Sequence, residues 1–141
     1  MPGREVFHYS VLKVVPSVER GECFNVGVVL LCRTRRFLAA RTWLDRRCLA
    51  VLAPDCDPDL IQQYLEAFER IAAGDRAAGA IARLAPAERF HWLVAPSSTV
   101  LQPGPVHSGL CDDPAAALDH LFKTVVLRPG RAAGAPEPPS F

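Results

Sequence analysis

The stretch Phe24-Asn-Val-Gly-Val-Val-Leu-Leu-Cys32 decides how this chain is expected to fold. It is rich in aliphatic residues and carries no charge, which is typical of a strand buried on both faces. Residues 5–15 and 37–44 flank it and also favour strands, because β-branched and aromatic residues recur in them. The intervening turns, 17–21 and the basic 33–36, are short. The three segments therefore predict an antiparallel meander.

Helix signals follow the meander. Residues 46–52 are expected to form a short helix. Asp57 and Pro58 match the N-cap and first position of a longer one, whose apolar residues recur at helical spacing as far as Ala72. Asp113 and Pro114 repeat that signal before a last helix.

The region between these helices is less regular. Residues 75–84 predict a weaker helix, and residues 89–94, Arg-Phe-His-Trp-Leu-Val, favour a further strand. The element order predicts an α+β fold, with an antiparallel meander sheet and two to four helices packed on one face. We expect one domain over residues 1–128 and a disordered tail rich in Pro, Gly and Ala over residues 129–141.

Composition excludes several classes of protein. The 141 residues suit one domain, and 16 basic against 15 acidic side chains give a net charge of +1, so nucleic-acid binding is not favoured. No apolar run is long enough for a membrane span, and the first residues lack the pattern of a signal peptide, which predicts a cytoplasmic protein. Five cysteines without a C-x-x-C pair predict reduced thiols and no zinc site, and we expect no cofactor.

The first candidate site is the turn that enters the central strand. Arg20, Glu22, Asn25 and Gly27 lie close together in sequence, and Glu22 with Asn25 could hold a ligand at the sheet edge. Gly27 would let a ligand or a neighbouring backbone approach closely. The alternative is a tight turn in which Glu22 pairs with Arg20 or Arg4 and Asn25 satisfies backbone groups.

A second candidate is the long loop over residues 95–109. Ser97 and Ser98 offer hydroxyl groups for an anion or a partner backbone, and His107 could act as an acid or base. Gln102 lies in the same loop. The alternative is a proline-stiffened surface connection whose hydroxyl groups cap turns.

An acidic pair and a cluster of arginines are two further candidate sites, and each has a structural alternative. Asp112 and Asp113 could share a divalent cation with Glu22, or could serve the N-terminus of the last helix. A basic cluster around the second turn could bind phosphates, or could be a solvated hairpin tip. Its members are Arg33, Arg35, Arg36, Arg41, Arg46 and Arg47.

Three stretches together carry a resemblance to a known family. They are Tyr9-Ser-Val-Leu-Lys-Val-Val-Pro16, Arg20-Gly-Glu-Cys-Phe-Asn-Val-Gly-Val-Val-Leu-Leu31, and Asp112-Asp-Pro114 before a helix ending Leu121-Phe-Lys-Thr-Val125. With the Ser97-Ser98 and Gln102-Pro103 loop, they resemble a bacterial domain-of-unknown-function family, numbered thirty thirty-seven. The resemblance implies no established activity and assigns no catalytic residue. It implies a larger partner with a HipA-like kinase fold, encoded nearby.

These observations predict a non-catalytic accessory or binding protein, partner of the kinase-like protein. Exposed apolar side chains on the outer strands would mark the interface. One alternative is a small metal-dependent hydrolase or phosphodiesterase built on Glu22, Asp112 and Asp113, with His107 nearby. Another is an anion- or nucleotide-binding module built on the arginine hairpin.

Overall fold

A computed structural model describes residues 4–17, 19–95 and 100–127. Its strands are β1 (Glu5–Ser17), β2 (Glu22–Cys32), β3 (Phe37–Thr42), β4 (Leu101–Pro103) and β5 (His107–Cys111). Its α-helices are α1 (Arg46–Leu52), α2 (Pro58–Ala73), α3 (Pro86–Leu93) and α4 (Pro114–Leu121). Two short 3-10 turns (Arg76–Ala78, Ile81–Arg83) follow α2, and a π-helical turn (Phe122–Val126) extends α4.

The sheet is antiparallel, in the order β3-β2-β1, with β4 and β5 both pairing with the outer side of β1. The predicted meander and the α+β class are therefore confirmed. Strand β1 runs through Pro16, where the strand was expected to end, because an irregularity in the β1–β2 register accommodates a residue without an N–H group.

Helices cover both faces of the sheet, whereas the sequence predicted them on one. Helices α1, α2 and α3 pack on the first face, against residues such as Leu12, Val29 and Leu31. Helix α4 and the π-helical turn pack on the second face, against Val28 and Leu30. The physical reason is β2 itself, because its aliphatic side chains point alternately to the two faces and each face needs a cover.

Local signals fix where the helices begin. The Asp57 carboxylate accepts a hydrogen bond from the backbone of Asp59, with Pro58 at the first position, as predicted. At the other end of α2, Gly74 adopts a left-handed conformation with φ +77°. Asp45 caps α1 in the same way, accepting from the backbone of Arg47 and Cys48.

The strand predicted over residues 89–94 is wrong, because these residues belong to α3. The helix begins at Pro86, and Phe90 and Leu93 are buried at helical spacing against the first face. Aromatic and aliphatic residues dominate the segment and favour a strand in isolation, but packing on the sheet selects the helix.

A β-bulge in β2 changes which face Asn25 occupies. Leu12 of β1 pairs with Gly27, but the next residue, Lys13, pairs with Asn25, so that Val26 is the extra residue. Without the bulge, Asn25 would share the first face with Val29. The bulge turns it to the second face, beside Lys13.

Candidate functional site

A row of polar side chains crosses the second face of the sheet. Lys13 of β1 lies opposite Asn25 of β2 on one side and opposite Gln102 of β4 on the other. Directly opposed residues of antiparallel strands project to the same face, so the three share the second face. His107, on β5, joins them there because it lies opposite Tyr9.

These side chains surround a groove of about 200 Å³, which we term the polar groove. Its lining residues are Val11, Lys13, Asn25, Gly104, Pro105 and His107. Two candidates from separate parts of the sequence, Asn25 and His107, therefore meet at one place. Gln102 lies next to Lys13 in the same row of the sheet but is not among the residues that line the groove.

Asn25 also has a structural contact. Its Nδ2 atom donates a hydrogen bond to the carbonyl oxygen of Val125, at 3.1 Å, in the π-helical turn. Carbonyl groups in the last turn of a helix lack helical partners, and this bond satisfies one of them. Asn25 thus bonds a backbone group, which was the structural alternative predicted for it. The same bond fixes its amide at the wall of the polar groove.

Lys13 supplies the positive charge of the polar groove. It is half-buried, and its Nζ atom lies close to Gly104, only 3.8 Å from where a Cβ atom on that glycine would sit. Lys13 has no ion-pair partner among the described residues, and none of the described residues that line the groove carries a carboxylate.

An aromatic contact positions His107 at the rim of the polar groove. The rings of His107 and Tyr9 lie with their centroids 5.3 Å apart and their planes at 37°. His107 is exposed to solvent, whereas Tyr9 is half-buried and packs against the core of the second face. The contact holds the imidazole over the sheet.

The turn before β2 has the geometry of a tight turn closed by an ion pair, which was the alternative to a ligand site there. Arg20 pairs with Glu22 at 3.1 Å, and Glu22 lies opposite Ser17, at the far end of β1. Gly27 is approached closely by the neighbouring strand, since a Cβ atom there would lie 2.9 Å from the Cγ2 atom of Thr42. Neither Glu22 nor Gly27 lines the polar groove.

The shared metal site proposed for Glu22, Asp112 and Asp113 is wrong. Glu22 lies at one end of the 13-residue β1, whereas Asp112 follows β5 at the other end. At about 3.3 Å per residue, about 40 Å of strand separates these ends, whereas the ligands of one cation lie within about 2.6 Å of it. Asp113 instead caps α4 by accepting a hydrogen bond from Ala115, and no group of three metal-ligating side chains occurs in the described ranges.

Three of the six arginines in the basic cluster form ion pairs with carboxylates of the described chain. Arg41 pairs with Asp119 at 2.5 Å, and its guanidinium lies 4.5 Å from the ring centre of Phe122. Arg35 pairs with Glu5 and donates to a carbonyl oxygen of the turn before α4, and Arg46 pairs with an aspartate of α2. Arg41 thus joins β3 to α4. Ser97 and Ser98, the other predicted site residues, lie outside the described residues.

A second groove, of about 290 Å³, lies on the first face between α2, α3 and the outer strands; we term it the apolar groove. Its lining residues are Leu12, Tyr64, Phe68, Trp92, Leu93, Ala95, Leu101 and Pro103. Trp92 remains 59% exposed and Tyr64 52% exposed.

Sequence reasoning missed both Lys13 and Trp92. The signal for Lys13 was present, because it is the single charged residue between Val6 and Pro16, in an otherwise apolar strand. The sequence predicts a strand at Trp92, and its exposure depends on the helix that these residues form instead.

Comparison with known proteins places the chain in a family. The family described as "Protein of unknown function (DUF3037)" matches residues 9–126, which include the residues that line the two grooves. No curated protein and no solved structure matches the chain. No helix of the described residues is long and apolar enough to cross a membrane. The chain belongs to the DUF3037 family of proteins of unknown function, the family numbered thirty thirty-seven.

Proposed function

We propose that this protein is an accessory module that binds a larger protein through the apolar groove. The observation that carries the proposal is the pair of exposed aromatic side chains, Tyr64 and Trp92, at the border of an apolar cleft. Trp and Tyr are enriched among the residues that contribute most to protein–protein binding, and they act from well-packed pockets.

The surface continues along the outer strands of the first face. Val6 and Leu110 are directly opposed on β1 and β5, and both are exposed. By the strand register they lie on the same face as Leu12 and Pro103 of the apolar groove. Exposed apolar residues on outer strands were the predicted mark of an interface, and this arrangement supports that interpretation.

The partner we propose is the HipA-like kinase-fold protein that the family resemblance implies. The hydrolase alternative is less well supported, because Glu22 lies at one end of β1 and Asp112 lies at the other. The ion pairs of Arg35, Arg41 and Arg46 engage half of the arginine cluster, which leaves Arg33, Arg36 and Arg47 for the alternative of an anion site.

Co-expression with the neighbouring kinase-like protein tests the proposal. We expect one complex in size-exclusion chromatography at micromolar concentration, and calorimetry then gives its affinity. Trp92→Ala should weaken binding by about 2 kcal/mol or more, roughly thirty-fold. Val51→Ser is the matched control, because Val51 is 78% exposed but lies on α1, outside the apolar groove. Two separate peaks, or equal losses in both variants, would contradict the proposal.

A further inference from the structure

We propose that the polar groove binds a small phosphoryl-bearing molecule, with Lys13 as the charge that anchors it. This inference is independent of the proposed protein partner, because the polar groove lies on the opposite face of the sheet from the apolar groove.

The ammonium group of Lys13 lies in the polar groove without a carboxylate partner among the described residues. A half-buried cation without a partner is unfavourable, because it has lost part of its hydration and gained no counter-charge. Even two exposed cations of the described chain have carboxylate partners: Lys123 binds Asp119, and Arg20 binds Glu22. Among the described residues of the groove, no carboxylate performs that role for Lys13. An anionic ligand would.

The neighbours of Lys13 supply the hydrogen-bonding groups that an anion needs. The Asn25 amide is held at the groove wall by its bond to Val125, and the His107 ring is held at the rim by Tyr9. The end of the Lys13 side chain lies beside Gly104, and Val11 with Pro105 gives apolar walls. Fixed donors around one cation form a pre-organised anion site, which reduces the entropy lost on binding.

Charge and size narrow the class of ligand. No arginine is among the described residues that line the groove, so a planar carboxylate would lack its usual bidentate partner. A lysine ammonium is a compact point charge that commonly binds phosphoryl oxygens. A volume of about 200 Å³ suits a phosphoryl group with a small alcohol attached.

The chain provides an internal control for the test, because Lys13 and Lys123 are its two lysines. Acetic anhydride labels both, and mass spectrometry follows each rate separately in the intact protein. We expect inorganic phosphate or glycerol 3-phosphate to slow acetylation of Lys13 at least about five-fold, saturably, and to leave Lys123 unchanged. Sodium acetate and sodium chloride at matched ionic strength should protect neither lysine.

Amide NMR of the same protein gives the affinity. The shifts caused by phosphate should localise to Lys13, Asn25, Gly104 and His107, and Lys13→Gln should weaken binding about ten-fold or more. Lys123→Gln should bind as the parent does. Stronger binding of glycerol 3-phosphate than of phosphate would place the alcohol inside the groove, and equal binding would place the phosphoryl group alone there. Equal protection of both lysines, protection by acetate, or no protection at millimolar ligand would overturn the proposal.

Discussion

Replacing Gly27 with alanine tests the close packing of β2 against β3. A Cβ atom at this position would lie 2.9 Å from the Cγ2 atom of Thr42 and 3.1 Å from the carbonyl oxygen of Arg41. Carbon atoms pack best at about 3.5–4.0 Å, so the added methyl group is too close by about 0.6 Å. Thr42 cannot easily move away, because Glu69 of α2 accepts hydrogen bonds from both its backbone N–H and its hydroxyl group.

The cost of this change follows from overpacking. Inserting a methyl group into a well-packed site costs about 1–3 kcal/mol, and the loss of glycine flexibility in the unfolded chain returns about 0.4–1 kcal/mol. We expect Gly27→Ala to lower the free energy of unfolding by about 1–2 kcal/mol. For a chain of this size the melting temperature should fall by about 3–10 °C. Urea unfolding followed by circular dichroism gives the free energy directly.

A double-mutant cycle identifies the contact that causes the loss. Thr42→Ser removes the Cγ2 atom but keeps the hydroxyl group that binds Glu69, and it should cost about 1 kcal/mol alone. If the methyl contact causes the strain, Gly27→Ala should cost at least about 1 kcal/mol less in the Thr42→Ser background than in the parent chain. Additivity within about 0.5 kcal/mol would refute this explanation.

Three further predictions concern single side chains. Asp113→Ala should lower the free energy of unfolding by about 1 kcal/mol in urea titrations, because α4 loses its N-cap. Hydrogen bonds, first from Lys123 and then from Arg41, hold the pKa of Asp119 below its usual range. The stability that this shift gives the fold is therefore present above the pKa of the unfolded carboxyl group, and it is lost as the pH falls through the pKa of the folded one. Lys123→Gln should raise the pKa of Asp119 in a carbon-13 NMR titration. Burial raises the pKa of the Cys111 thiol, so at pH 8 iodoacetamide should modify Cys111 far more slowly than the exposed Cys23. Mass spectrometry measures both rates, and equal rates would contradict the burial of Cys111.

Much of the fold could be predicted because its signals are local. The meander follows from apolar runs with short turns, and α2 and α4 follow from Asp57-Pro58 and Asp113-Pro114. Helix α3 was missed because its residues favour strands in isolation, although Pro86 and Glu88 in its first turn were available as helix signals.

The candidate site was less predictable, because it depends on register. Asn25 and His107 could each be selected from the residues around them, but no local pattern indicated that they meet. Their meeting requires the bulge at Val26 and the pairing of β5 with the same strand that carries Lys13. Register is a property of the whole sheet, so local patterns do not encode it.

The pairing of β1 with β5 has a consequence for synthesis of the protein. His8 bonds Ser108, a hundred residues later, so the outer side of β1 has no partner until most of the chain has been made. At about 5–20 residues per second, the ribosome needs about 5–20 s to supply it. Throughout that interval the meander of the nascent chain has an unpaired strand edge and an uncovered second face, and both features promote aggregation. Conditions that slow translation should therefore increase the demand of this protein for chaperones.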